Sequence, residues 1–171
     1  MEPSQSAGND MVSIIDKCDP KRRQSFPRGS VILPEGQNTG RLHVLAQGTV
    51  EILRGETQVA IIADVGTVLG EMSVLLDKPH TATVRALTDC ETFLYDDAAA
   101  FMSSDAEVTF AIARMLAQRL NNATTYLADL KHQYAGSGNH LAMVSSVLAS
   151  LVNQPDQNYD PGSDRQPDHQ V

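Results

Sequence analysis

Between Ser30 and Tyr95 every apolar run is cut short by a glycine, a proline or a polar turn, and this most constrains the fold. VIL (31–33) runs into PEGQ, and RLHVLAQGTVEIL (41–53) divides at Gly48. RGET (54–57) centres a turn on Gly55, and VAIIADV (59–65) stops before Gly66. TVRAL (83–87) and ETFLY (91–95) follow, joined by TDC. The runs are rich in β-branched and aliphatic residues, too short for packed helices, and spaced roughly 8–12 residues apart. That pattern predicts a β-sandwich or barrel.

The flanks are of another kind. Residues 1–10 are polar and read as a disordered N-terminus, and Val12, Ile14, Ile15 and Cys18 suit a short helix before Pro20. After Asp97 the strand signals stop. DAAAFM is a short helix candidate, and Ser104 or Asp105 is placed to cap a longer helix. Along that helix Ile112, Leu116, Leu120, Ala123, Leu127, Leu130 and Tyr134 stand four or three residues apart, a heptad-like seam. The seam suits a second copy of the chain; a helix laid on its own barrel would show the same stripe. A short apolar helix is expected at 139–152, and 153–171, with three Pro and four Asp, reads as a disordered acidic tail. The expected organisation is thus 1–10, a barrel with its N-terminal helix at 11–104, a dimerisation-type helix at 105–135, and the two C-terminal pieces.

Charge excludes one class of function. Thirteen Lys and Arg face 21 Asp and Glu, a net charge of −8, and there is no Trp. Neither a basic footprint nor a stacking platform for nucleic acid is present. Beyond Tyr134 the only Lys or Arg is Arg165, so no recognition helix is expected there. The chain lacks GxSxG, P-loop and HExxH motifs, and its five His show no metal-ligand spacing, so neither catalysis nor a metal is expected. No apolar run spans a bilayer and the N-terminus lacks a signal-peptide core, which points to a cytoplasmic protein without membrane contact.

The informative stretch is VGTVLGEMSVLLDKPHTATVRA (65–86). Gly66 and Gly70 permit tight backbone paths. Glu71-Met-Ser-Val-Leu-Leu suits a turn or two of helix, whose first amides would face an anion. Glu71 would repel a phosphate but accept from a sugar hydroxyl.

Gly70-Glu71-Met72-Ser73-Val74-Leu75, a spacer, and Pro79-His80-Thr81-Ala82-Thr83-Val84 resemble the phosphate-binding cassette of the cyclic nucleotide-binding domain family. The resemblance extends over about residues 12–134. It implies a mainly β fold with flanking helices: a jelly-roll barrel, or double-stranded β-helix, with a long C-terminal helix. It also implies a regulatory module that binds cyclic AMP or cyclic GMP and acts through its helices on a protein effector, as a homodimer through residues 108–134. By position, Gly70 would shape the loop and Glu71 would take the ribose 2′-hydroxyl. Amides of Met72, Ser73 and Ala82 would approach the cyclic phosphate, and Thr81 would lean the site toward guanine.

The departure is His80, which stands where the family has an arginine. Arginine makes a forked, permanently charged contact, whereas histidine is shorter and mostly neutral at pH 7. Losing a charged hydrogen bond to phosphate costs roughly 1.5–3 kcal/mol, or on the order of 10–100-fold in affinity. A phosphate that charges His80 would make binding strengthen as pH falls from about 8 to 6. Arg85 reads as a surface residue rather than a substitute. A module that lost its ligand and kept only protein contacts is the other reading.

Overall fold

The computed structural model describes residues 14–133 and Val147. Eight strands form two antiparallel four-stranded sheets. They are β1 (Arg23–Phe26), β2 (Val31–Leu33), β3 (Leu42–Gln47), β4 (Val50–Arg54), β5 (Thr57–Ile62), β6 (Val68–Leu69), β7 (Thr83–Ala86) and β8 (Cys90–Tyr95). One sheet runs β1-β8-β3-β6 and the other β2-β7-β4-β5. Apart from the β4–β5 hairpin, strands neighbouring in sequence are thus dealt to different sheets, which is the jelly-roll arrangement. Three helices follow the chain: α1 (Glu71–Leu76), α2 (Ala98–Ser103) and α3 (Ala106–Gln133).

Two strands escaped the sequence reading. RQSF in β1 has hardly any apolar alternation, because the strand is an exposed edge held to β8 by its backbone. β6 is two residues long and lies inside the stretch read as a glycine loop. The N-terminal segment also differs from a single helix: residues 14–16 are helical, and a 3-10 turn at Pro20–Arg22 is capped by Asp19, whose side chain accepts from the Lys21 amide. Apart from Val147, the expected 139–152 helix lies outside the described residues, as do the two terminal segments 1–10 and 153–171.

β3 explains why the first sheet sits at the centre. Leu42, His43, Val44 and Leu45 are all buried, so both of its faces are covered. Leu42 and Val44 join Phe93 and Tyr95 under a layer from Ile14, α2 and the start of α3. Leu45 on the other face meets Leu33, Val50, Leu69 and Val84 between the sheets. Tyr95 fixes the helical layer: its ring stacks on Phe101 at 3.7 Å, and its hydroxyl accepts from the Asp19 amide. Lys17 adds ion pairs to Asp105 and Glu107 at the head of α3.

The chain divides into two compact units at Leu116/Ala117, within α3. In the first unit, Val108, Ala111, Ile112 and Met115 of α3 are buried in the helical layer. In the second, the seam positions are less covered: Leu120 is 49% exposed, and Leu127 and Leu130 are half-buried.

Two positions test this packing. Gly48 has φ 90°, and a Cβ there would lie 2.4 Å from the Asp89 carbonyl oxygen and 2.8 Å from Cys90 Sγ. Gly55 has φ 56° with open space around it. Gly48→Ala should cost roughly 2–4 kcal/mol in urea unfolding and Gly55→Ala about 1 kcal/mol; equal losses would contradict the steric account. His43 is 2% exposed with Nδ1 2.8 Å from Thr92 Oγ1. Burial, then the Arg41 charge, pushes its pKa down to about 4. The unfolded imidazole takes up a proton below about pH 6.5 that the folded one refuses until about pH 4, so this group's share of stability is present at pH 7 and lost on acidification. Wild type should lose roughly 3 kcal/mol more than His43→Leu between pH 7 and 4, and parallel losses in the two proteins would remove His43 as the cause.

Candidate functional site

The site is built where the β6–α1 corner meets the strand that leads into β7. Gly70 turns the corner with φ 95°, a left-handed conformation that only glycine adopts without strain. It is also crowded. A Cβ at Gly70 would lie 2.7 Å from the Arg41 carbonyl oxygen, 3.0 Å from Leu33 Cδ1 and 3.6 Å from His80 Cε1. The bare glycine lets the corner close onto the rims of β2 and β3, and brings His80 against it.

Glu71 is the first residue of α1 and is 2% exposed. Met72 next to it is 46% exposed, and Ser73 is 5% exposed. The Ser73 hydroxyl donates to the Lys78 carbonyl, and the Lys78 amide donates back to the Ser73 carbonyl at 3.1 Å. This pair closes the end of α1, where Asp77 takes a left-handed conformation with φ 49°. The closure returns the chain to Pro79 and His80 beside the helix.

His80 is 6% exposed and is held through both backbone and ring. Its amide donates to the Gln37 carbonyl at 2.9 Å, and its carbonyl accepts from the Gly36 amide at 2.8 Å. Its Nε2 lies 2.7 Å from Thr39 Oγ1. Burial lowers its pKa from the ordinary imidazole value, so the ring is neutral at pH 7. Charging it would have to overcome that burial. Thr81 is exposed, Ala82 is half-buried, and Thr83 accepts from the Glu35 amide at 3.1 Å.

The structure therefore gathers Gly70, Glu71, Ser73 and His80 in one buried corner, and leaves Met72 and Thr81 facing outward. Two neighbours were missed in the sequence. Thr39 sits in an unpatterned polar loop and meets His80 only in three dimensions. Arg54 ends β4, and its Nε donates to the Thr81 carbonyl at 3.2 Å. Arg85 does not turn toward the cassette: it donates to Glu51 Oε1 at 2.7 Å, and Gln58 holds the other Glu51 oxygen. Among the described residues no group of His, Cys, Asp and Glu could hold a metal ion, and no helix is long and apolar enough to cross a membrane.

A separate apolar cavity of about 420 Å³ lies behind α1, lined by Val74 and Leu75 of α1, residues of α2, and Thr109, Ile112, Ala113 and Leu116 of α3. None of the gathered site residues lines it. The helix that carries Glu71 thus has the site at its start and the α2–α3 layer along its side.

Comparison with known proteins places this arrangement. The chain is 29% identical over 111 residues to a CRP-like cAMP-activated global transcriptional regulator of Mycobacterium tuberculosis, covering 61% of this chain and 50% of that protein. It is 30% identical over 87 residues to human cGMP-dependent protein kinase 2, covering 51% of this chain and 11% of the kinase. The chain thus spans half the length of the first relative and a small part of the second. The catabolite activator protein of Thermus thermophilus has the same fold, with a TM-score of 0.56 at 20% identity over 86% of this chain and 82% of that one. Residues 23–101 match the cyclic nucleotide-binding domain family, and the match contains both halves of the cassette: this stretch of the chain belongs to that family.

Proposed function

We propose that this chain senses cyclic AMP or cyclic GMP and passes the binding event to a protein effector through its helices, without contacting DNA. One observation carries the reading: Glu71, an acid, is 2% exposed at the corner where Gly70 and His80 close on each other. Glu71 has a partner within the protein, and the two oxygens of a carboxylate offer about four acceptor sites, so it can also accept from a further donor. A ribose 2′-hydroxyl is such a donor, and the amides of Met72, Ser73 and Ala82 are the groups proposed for the cyclic phosphate. The base stays open between the two nucleotides. The names of the bacterial and human relatives support one each, and Thr81 leans toward guanine.

The signal route follows from packing. Val74 of α1 packs against the layer formed by α2 and the head of α3, beside the apolar cavity. A ligand that draws α1 inward would change how that layer fills the cavity, and so bias two arrangements of α3. The seam from Leu120 onward is proposed to pair with a second copy of the chain. The buried, neutral His80 favours a second reading, a module whose ligand affinity has faded and whose helices serve protein contacts alone.

Calorimetric titration with cyclic AMP and cyclic GMP separates the two. Wild type should bind at least one of them, with affinity flat between pH 8 and 6.5 because burial keeps His80 neutral. This amends the pH dependence expected from sequence. Glu71→Ala should weaken binding at least tenfold by removing the ribose acceptor. His80→Arg should tighten it by roughly 10–100-fold. Binding that appears only in His80→Arg supports the faded module, and no binding in either protein would refute the sensor.

A further inference from the structure

The cassette needs a cation for the cyclic phosphate, and the residue at its usual position is buried, uncharged and joined to Thr39. Arg85 is already paired with Glu51. Arg54 is different. It is exposed, its Nε reaches the Thr81 carbonyl, and it makes no ion pair among the described residues.

Its placement is fixed by its neighbours. The amide of Gly55, the next residue, donates to Glu35 Oε2 at 2.8 Å. The Glu35 amide in turn donates to Thr83 Oγ1. The turn after β4 is therefore tied to the 81–83 strand through Glu35, and Arg54 is carried along that strand beside Thr81 and Ala82. The nearby Glu35 carboxylate is engaged by the Gly55 amide. With Nε bound to Thr81, the two terminal nitrogens of the guanidinium remain to meet an anion.

We propose that Arg54, on a strand outside the cassette, supplies the positive charge that recognises the cyclic phosphate. This rests on the cyclic nucleotide reading above and names the residue that lets the site keep its ligand without an arginine at position 80. The charge has moved from inside the cassette to the hairpin facing it. The forked guanidinium would approach from the β4 side, holding Thr81 with one nitrogen and the phosphate with the others.

The test compares phosphorylated and unphosphorylated ligands. Wild type, Arg54→Ala, Arg54→Lys and Arg85→Ala are titrated with cyclic AMP and cyclic GMP, and with adenosine and guanosine, which carry no phosphate. Arg54→Ala should weaken the cyclic nucleotide tenfold or more and leave the nucleoside unchanged. Arg54→Lys should recover part of the loss, and Arg85→Ala should match wild type. Cyclic nucleotide binding that survives Arg54→Ala, or a loss shared equally by cyclic nucleotide and nucleoside, would overturn the role of Arg54 while leaving the binding domain intact. Should every nucleoside bind too weakly to measure, an Arg54→Lys protein no better than Arg54→Ala would overturn it equally. Wild type that binds none of the four ligands would overturn the underlying reading as well.

Discussion

The close approach at Gly70 holds the site together. Its backbone passes so near the Arg41 carbonyl and Leu33 that a single added carbon would lie 2.7 Å and 3.0 Å from them. This contact does more than fit a glycine into a turn. It pins the start of α1 to the rims of β2 and β3, which belong to different sheets. Because α1 is only six residues long, its direction is set at that end. Glu71 is buried because it is the first residue after the pinned point. His80 comes into reach because the Ser73–Lys78 bonds return the chain to the same place. Loosening the corner would release all three groups together.

The sequence disclosed the parts of the fold whose chemistry is local. Glycines bounding apolar runs marked the hairpins, but the coverage of both faces of β3 came only with the structure, because LHVLAQ carries the polar His43 and Gln47. β1 was hidden for another reason. An edge strand is held by backbone hydrogen bonds to β8, and RQSF needs no apolar pattern to make them. The site followed the same division. Gly70, Glu71, Ser73 and His80 are a short stretch with meaningful spacing, and were legible. Thr39 and Arg54 reach the site by 41 and 27 residues of sequence separation from His80 and Thr81. Nothing near either residue in the chain signals the partner, because the folding of the two sheets creates the contact.

Electrostatics at the corner is what a reading of residue types alone misjudges. A histidine in place of an arginine looks like a weakened cation that acid would restore. Packed at 6% exposure with its Nε2 against a threonine hydroxyl, it is instead a neutral hydrogen-bonding group of the loop wall. Its backbone bonds to Gly36 and Gln37 give it a structural task that arginine at the same position would share. The side chain is then left to the wall, and a phosphate would have to find its charge elsewhere.

That separation bears on how such a domain transmits a signal. A cation within the cassette moves with α1, because both belong to one tight segment. A cation on β4 belongs to the second sheet, anchored through Glu35 to Thr83. An anion held between Arg54 and the amides of α1 would bridge the hairpin and the helix, and would draw the two together. The side of α1 away from that bridge faces an apolar cavity of about 420 Å³ shared with α2 and α3. A shift of α1 by a fraction of an ångström changes dispersion contacts along that wall, where a gap of 0.5–1 Å forfeits roughly a quarter to a half of each contact's well depth. The head of α3 is pressed into the same layer by Val108 and Ile112. It is also tied by Lys17 to the N-terminal segment through exposed, salt-screened pairs that set little against such a shift. On the proposed function, packing rather than charge would therefore decide which arrangement of the helices a ligand selects.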